Sequence, residues 1–175
     1  MVAEMSKQFD PGVSGRVESL HLHPSESGAP LQAVMALETV AQNGIRGNGR
    51  YFGRISRSTG KPSRRQISLM EREQIADHAA SLGLGAIPPG AVRANIETLG
   101  IDLVALIGQK VAIGEAILYF HEPRKPCSKM DALCAGLRQL MEGNRQGVLA
   151  EVIRPGRISI GDPIHLVPEG TDLSG

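Results

Sequence analysis

Apolar residues follow two different rhythms along the chain. The segments 15-GRVESLHLH-23 and 31-LQAVMALETV-40 have the extended, β-compatible pattern of two successive strands, and a short strand is expected at 66-QISL-69. The rhythm then changes. In 71-EREQIADHAASLG-83, Ile75, Ala79 and Leu82 share one helical face, acids open the first turn, and Gly83 supplies a stop. A second helix is expected from about Ser128, with Leu133, Leu137, Leu140 and Met141 as its apolar stripe and Gly143 as its end.

A weak internal echo adds to this pattern. Both 110-KVAIGEAI-117 and 157-RISIGDPI-164 read basic, apolar, small, Ile, Gly, acidic, any, Ile. Two strand pieces joined at a glycine suit a sharp bend where a sheet turns a corner. Strands outnumber helices, so the expected fold is mostly β: a closed or nearly closed β-barrel with peripheral α-helices. A doubly wound α/β sheet fits less well, because only two helices are convincing. The expected organisation is a flexible N-terminus over 1–14, a single domain over 15–167 and a flexible tail over 168–175.

Composition narrows the function classes. A chain of 175 residues can bury a core without staples, and 21 glycines, 11 prolines and only 3% aromatics imply many turns. A formal net charge of +1 gives the whole molecule no strong attraction to nucleic acid or membranes. No apolar run approaches membrane-spanning length, and the polar opening 1-MVAEMSKQFDPG-12 lacks the apolar core of a signal peptide. On one helix, Cys127 and Cys134 would lie about 10 Å apart along the axis, beyond disulfide reach. No C-x-x-C pair suggests structural zinc. A reduced, cytoplasmic protein is expected.

The candidate chemistry centres on Cys127. Pro126 marks a helix boundary, and a thiol at a helix N-terminus meets the partial positive charge of unpaired N–H groups. Arg124, Lys125 and Lys129 flank it. These surroundings favour a thiolate able to carry sulfur or bind a metal; the competing reading is a small apolar filler. Cys134, inside the helix beside the leucine stripe, reads as filler.

A basic region lies upstream. No acid occurs between Glu38 and Glu71, while Arg46, Arg50, Arg54, Arg57, Lys61, Arg64 and Arg65 all do. Gly44, Gly47, Gly49 and Gly53 would let backbone N–H groups approach an anion, and arginine forks suit phosphate oxygens. A solvated loop and a nucleic-acid surface are the alternatives; the scarcity of aromatics makes single-strand binding unlikely. In 88-PPGAVRANIETLGIDL-103 a Pro-Gly turn leads to Arg93, Asn95 and Glu97, expected to share one face of an extended segment. His21 and His23 could share a strand face but have no metal-ligand partner nearby in sequence.

In order and spacing, these stretches resemble the MOSC domain, the module named after the C-terminal part of molybdenum cofactor sulfurase. The resemblance rests on 44-GIRGNGRYFG-53, 65-RQISLMERE-73, 89-PGAVRANIETLGIDL-103, 108-GQKVAIGEAIL-118, 126-PC-127 and 147-GVLAEVIRPGRISIGDPI-164. It implies a MOSC-type barrel that binds the molybdenum cofactor (molybdopterin). The activity it implies is sulfur transfer or reduction of N-hydroxylated compounds. Cys127 matches the family cysteine as metal ligand, catalytic residue or persulfide carrier. Arg65, Arg93 and Asn95 match positions expected to hold the cofactor's phosphate and pterin edge, and Arg46, Arg50, Arg64 and Arg124 join them as cofactor-binding candidates. The family also brings associations with pyridoxal phosphate binding and metal–sulfur cluster biosynthesis. Asn48 and Arg50 stand where the family pattern has an acid and a histidine, and Ala94 where it has a glutamate.

The implied partners are a small-molecule substrate and a protein that donates sulfur or electrons, because no flavin, haem or iron–sulfur motif is present. No membrane is expected. The alternatives are a non-catalytic sulfur-delivery adaptor and an anion- or nucleic-acid-binding barrel.

Overall fold

A computed structural model of the protein describes residues 14–173. The expected flexible N-terminus, but for Ser14, lies outside the described residues, as does the tail end at 174–175. Eleven strands occur among the described residues: β1 (Ser14–Leu22), β2 (Gln32–Val34), β3 (Ala36–Val40), β4 (Gly44–Ile45), β5 (Ile67–Glu71), β6 (Ile96–Leu99), β7 (Lys110–Ile113), β8 (Ala116–Pro123), β9 (Val148–Arg154), β10 (Arg157–Ser159) and β11 (Pro163–Leu166). Three α-helices accompany them: α1 (Arg72–Ser81), α2 (Ser128–Leu133) and α3 (Leu137–Met141).

Seven strands close a barrel in the order β1–β11–β7–β8–β9–β5–β6 and back to β1. All neighbours are antiparallel except β5 and β6, which run parallel and are joined across α1. Strand β2 pairs outside β1, and β10–β3–β4 form a small second sheet. The mostly-β barrel with peripheral helices expected from the sequence is the fold observed.

Strand β5 shows why the core has two compartments. Every residue of Ile67–Glu71 is buried. Ile67 and Leu69 enter the barrel with Leu20, Ile96, Leu118 and Phe120. Met70, on the opposite face, packs in a second cluster with Ile75, Ala79, Leu137 and Met141 from the helices. Each such side chain contributes about 2 kcal/mol of burial free energy. A strand covered on both faces has no solvent side, so β5 buries Ser68 and Glu71 along with its apolar residues.

The two halves of the sequence echo meet in space. β7 and β8 form a hairpin around Gly114, while β10 crosses from the small sheet to β11 around Gly161, both glycines having positive φ (+56° and +87°). Ile113 faces Ile164 across the β7–β11 ladder, and the Glu115 N–H donates to the Arg157 carbonyl at 3.0 Å. A Cβ on Gly114 would lie 2.8 Å from that same carbonyl, too close for any side chain.

Three local expectations are corrected. The strand expected over 31–40 breaks at Met35, which is 75% exposed, because the chain there leaves the barrel edge for the small sheet. The second helix is two short ones. Gly136 has φ +89°, which no α-helix accommodates, and Leu133 is left 41% exposed rather than in the stripe. Arg93 is not in an extended run either: its φ is +64°, and β6 begins only at Ile96.

Candidate functional site: a cationic cavity at the barrel rim

The register brings the end of β1, the starts of β5 and β6, the end of β8 and the start of β9 to one rim, together with the helical β8–β9 connection. A cavity of about 290 Å³ opens there. Six cationic side chains line it: Arg54, Arg65, Arg93, Arg124, Lys125 and Lys129. No aspartate or glutamate among the described residues does. Cys127, exposed and free, stands in the same wall.

Arg124 follows the last residue of β8, and its guanidinium is enclosed by neutral groups. Nη1 donates to the Gln146 carbonyl at 3.3 Å and Nη2 to the Val92 carbonyl at 3.1 Å, with the Met70 sulfur 4.0 Å from Nη1. Burial lowers its pKa to about 10, with the negative forms of Cys127, Tyr51 and Glu97 opposing that shift. Arg93 reaches the wall from its left-handed turn and donates from Nη1 to the Ala29 carbonyl at 2.9 Å. Such a backbone state costs a non-glycine residue about 1 kcal/mol or more and is held only where neighbours demand it.

Asn95 lines the cavity but is committed to the scaffold. Its Oδ1 accepts from the Ser68 N–H and hydroxyl, both at 3.1 Å, and its Nδ2 donates to the His21 carbonyl and Asn48 Oδ1, both at 3.0 Å. Asn48 Oδ1 also accepts from the His23 N–H at 2.8 Å. Asn48 thus ties three loops together as an acceptor.

Tyr51 and Gln146 are cavity residues that the sequence did not single out, and His23, expected beside His21 on a strand face, joins them. The His23 and Tyr51 rings lie 4.7 Å apart at a tilt of 58°. Burial, followed by the positive charges of Arg93, Arg124, Lys129 and Arg50, lowers the His23 pKa to about 4, so its ring is neutral at pH 7. Burial opposes ionisation of Tyr51, but its hydrogen bond from Arg50 and the surrounding cations outweigh it and hold the phenol below its ordinary pKa. Two buried acceptors, His23 Nδ1 and Gln146 Oε1, have no hydrogen-bond partner.

The cofactor-binding candidates therefore separate. Arg65, Arg93, Asn95 and Arg124 line the cavity with Cys127; Arg46, Arg50 and Arg64 do not. Arg46 lies over Phe52, Arg50 reaches the Tyr51 hydroxyl at 3.4 Å from behind, and Arg64 pairs with Glu151 at 3.0 Å. Arg65 lines the cavity while also pairing with Glu122 at 3.0 Å. Arg54, Lys125 and Lys129 complete the positive wall. The two N-terminal histidines part company, His21 turning to the buried Glu97 at 4.0 Å and His23 to the cavity. No cluster of three His, Cys, Asp or Glu side chains suited to a metal occurs among the described residues. No helix among them is long and apolar enough to cross a membrane.

A closed seven-stranded mixed barrel with peripheral helices, and a rim cavity where a cysteine stands among cations, places the chain among small mixed β-barrel proteins. The MOSC domain family model matches residues 21–165, and the chain belongs to that family. In solved structures, the fold is similar to that of the YuaD protein from Bacillus subtilis, at 22% identity and TM-score 0.73 over 89% of this chain and 98% of that one. It is also similar to YiiM from Escherichia coli, at 23% identity and TM-score 0.63 over 90% and 72% of the two chains. YiiM from Geobacillus stearothermophilus gives 17% identity and TM-score 0.66 over 90% and 77%. No curated protein sequence matches the chain.

Proposed function

We propose that the rim cavity binds a phosphate-bearing pterin cofactor of the molybdopterin type, with Cys127 as metal ligand or sulfur carrier. One observation carries this reading: a half-buried Arg124, held by two backbone carbonyls, shares the cavity with five other cations, and among the described residues no carboxylate lines it. An enclosed guanidinium held only by neutral acceptors is costly until an anion arrives. Arginine forks suit phosphate oxygens, and a thiolate suits a soft or borderline metal. The unpartnered His23 Nδ1 and Gln146 Oε1 are compatible with a ligand that brings N–H groups as well as negative charge. Such a cofactor supplies a dithiolene-held metal for oxygen-atom or sulfur chemistry. In this chain Arg65, Arg93 and Arg124 would hold its phosphate, and Cys127 would face its metal end.

The same reading assigns a reducing, cytoplasmic setting, where an exposed thiol stays free. It also requires a separate donor of sulfur or electrons. A second reading, a sulfur-delivery adaptor with a persulfide on Cys127, is favoured by the exposure of that thiol at the cavity mouth. Lys125 and Lys129 in the wall make pyridoxal phosphate the competing phosphorylated ligand.

The test is elemental analysis with intact mass, comparing wild type and Cys127→Ala made in a cofactor-competent host. Molybdenum and a pterin bound to the wild type and depleted in the variant are expected; a persulfide mass on Cys127 without metal selects the adaptor. Neither metal, pterin nor sulfur on either protein overturns the proposal.

A further inference from the structure

A second cleft, of about 490 Å³, abuts the cationic cavity and shares Arg93 and Lys129 with it. Its character differs. Pro30, Leu31, Pro89, Ala132 and Leu133 give it apolar walls, and among the described residues those two cations are its only charged lining. Leu133, the last residue of α2, is 41% exposed, which an apolar side chain at a helix end does not require.

The walls are pinned by buried polar groups that the anion cavity does not need. Glu97, fully buried, accepts the Gly90 N–H on Oε2 at 2.8 Å while Oε1 pairs with Arg72 at 2.7 Å, and this fixes the Pro89–Ala91 turn. Gly90 has φ +83° and sits so close to His21 that a Cβ would lie 2.9 Å from Nδ1. Arg93 holds the opposite wall through the Ala29 carbonyl at 2.9 Å. Both walls and the dividing cation are therefore preorganised, the condition for a small-molecule site without a large ordering cost.

We propose that this cleft is the substrate subsite, binding the apolar body of a small amphipathic anion whose charged end pairs with Arg93 and Lys129 beside Cys127. The inference deepens the reading above, since it takes the shared cations as the border between cofactor and substrate. Charge complementarity selects the occupant. A purely apolar ligand would leave Lys129, which the cofactor's phosphate does not occupy, unanswered, and a cation would be repelled by Lys129 and Arg93.

The test uses two probes at low salt, followed by calorimetry: naphthalene-2-sulfonate for the cleft and inorganic pyrophosphate for the cavity. Leu133→Glu, at an exposed position, should weaken naphthalene-2-sulfonate at least tenfold and leave pyrophosphate within twofold. Ala132→Trp, uncharged and also on the exposed face of α2, should weaken the first probe by filling the cleft. Naphthalene-2-sulfonate binding that is absent from wild type, or unchanged in both variants, overturns the subsite. Loss of both probes together in Leu133→Glu with none in Ala132→Trp also overturns it, as a general charge effect. Failure of pyrophosphate to bind wild type, with naphthalene-2-sulfonate still sensitive to both variants, sinks the cofactor reading and upholds the cleft.

Discussion

Glu97 and Arg124 are both drawn out of water, and they are answered in opposite ways. Glu97 is surrounded by partners inside the fold: Arg72 at 2.7 Å, the Gly90 N–H at 2.8 Å and His21 at 4.0 Å. Arg124 meets two carbonyls and a thioether, and the cavity beside it holds five more cations. A charge satisfied from within serves the scaffold, here the turn that delivers Arg93. A charge left without its counter-ion marks where something from outside is expected.

The sharpest way to break this comparison is to remove each charge in turn. Glu97→Ala strands Arg72 beside the Ile87 carbonyl and frees the Gly90 turn. It should cost about 3–5 kcal/mol, read as a lowered urea midpoint at unchanged slope. Arg124→Met removes an enclosed cation that has no acid to abandon. Its stability should stay within about 1 kcal/mol of wild type or rise. Equal large losses from both variants would erase the distinction.

Acidification probes the same cavity. In the folded protein His23 titrates at about 4, against 6.5 for the free side chain. Between these values the unfolded chain takes a proton that the folded one refuses, so stability falls as pH drops from about 6.5 to 4 and this contribution levels off below. The lowered pKa values of His21, His78, His121 and His165, each depressed mainly by desolvation, act in the same direction. His23→Gln should flatten the slope of melting temperature against pH in that window without abolishing it. A bound polyanion favours the imidazolium, so wild type should take up protons from the buffer on binding pyrophosphate near pH 5, and His23→Gln fewer. The smallest effect is expected at Cys127. Its side chain is exposed and makes no capping hydrogen bond, so Cys127→Ser should shift stability by no more than about 0.5 kcal/mol.

The barrel was legible because its signals are local: strand pieces hinged at Gly114 and Gly161, and a helix face with its stop. The breaks at Met35 and Gly136 were less so. A strand that changes sheets keeps its apolar composition, and a glycine within an apolar stripe does not announce a positive φ. In the site, cysteine and arginine types were readable but their partners were not. Arg64 and Arg65 are adjacent in sequence, yet Arg64 pairs with Glu151 away from the cavity and Arg65 lines it. Asn95 was read as a ligand contact, and its amide is spent on Ser68, His21 and Asn48. Gln146 carried no motif; only the β8–β9 connection brings it to the wall, though a polar residue just before Gly147 was the available hint. Gly147 has φ +79°, and its backbone packs against Leu69 too closely for a Cβ.

The claim at the centre is that the rim cavity is built to receive an anion. Isothermal titration of pyrophosphate into wild type and Arg124→Met, at low and at physiological salt, tests it directly. A saturable, salt-weakened exotherm in wild type, reduced at least tenfold in affinity by Arg124→Met, is the predicted result. Identical curves from the two proteins would contradict it.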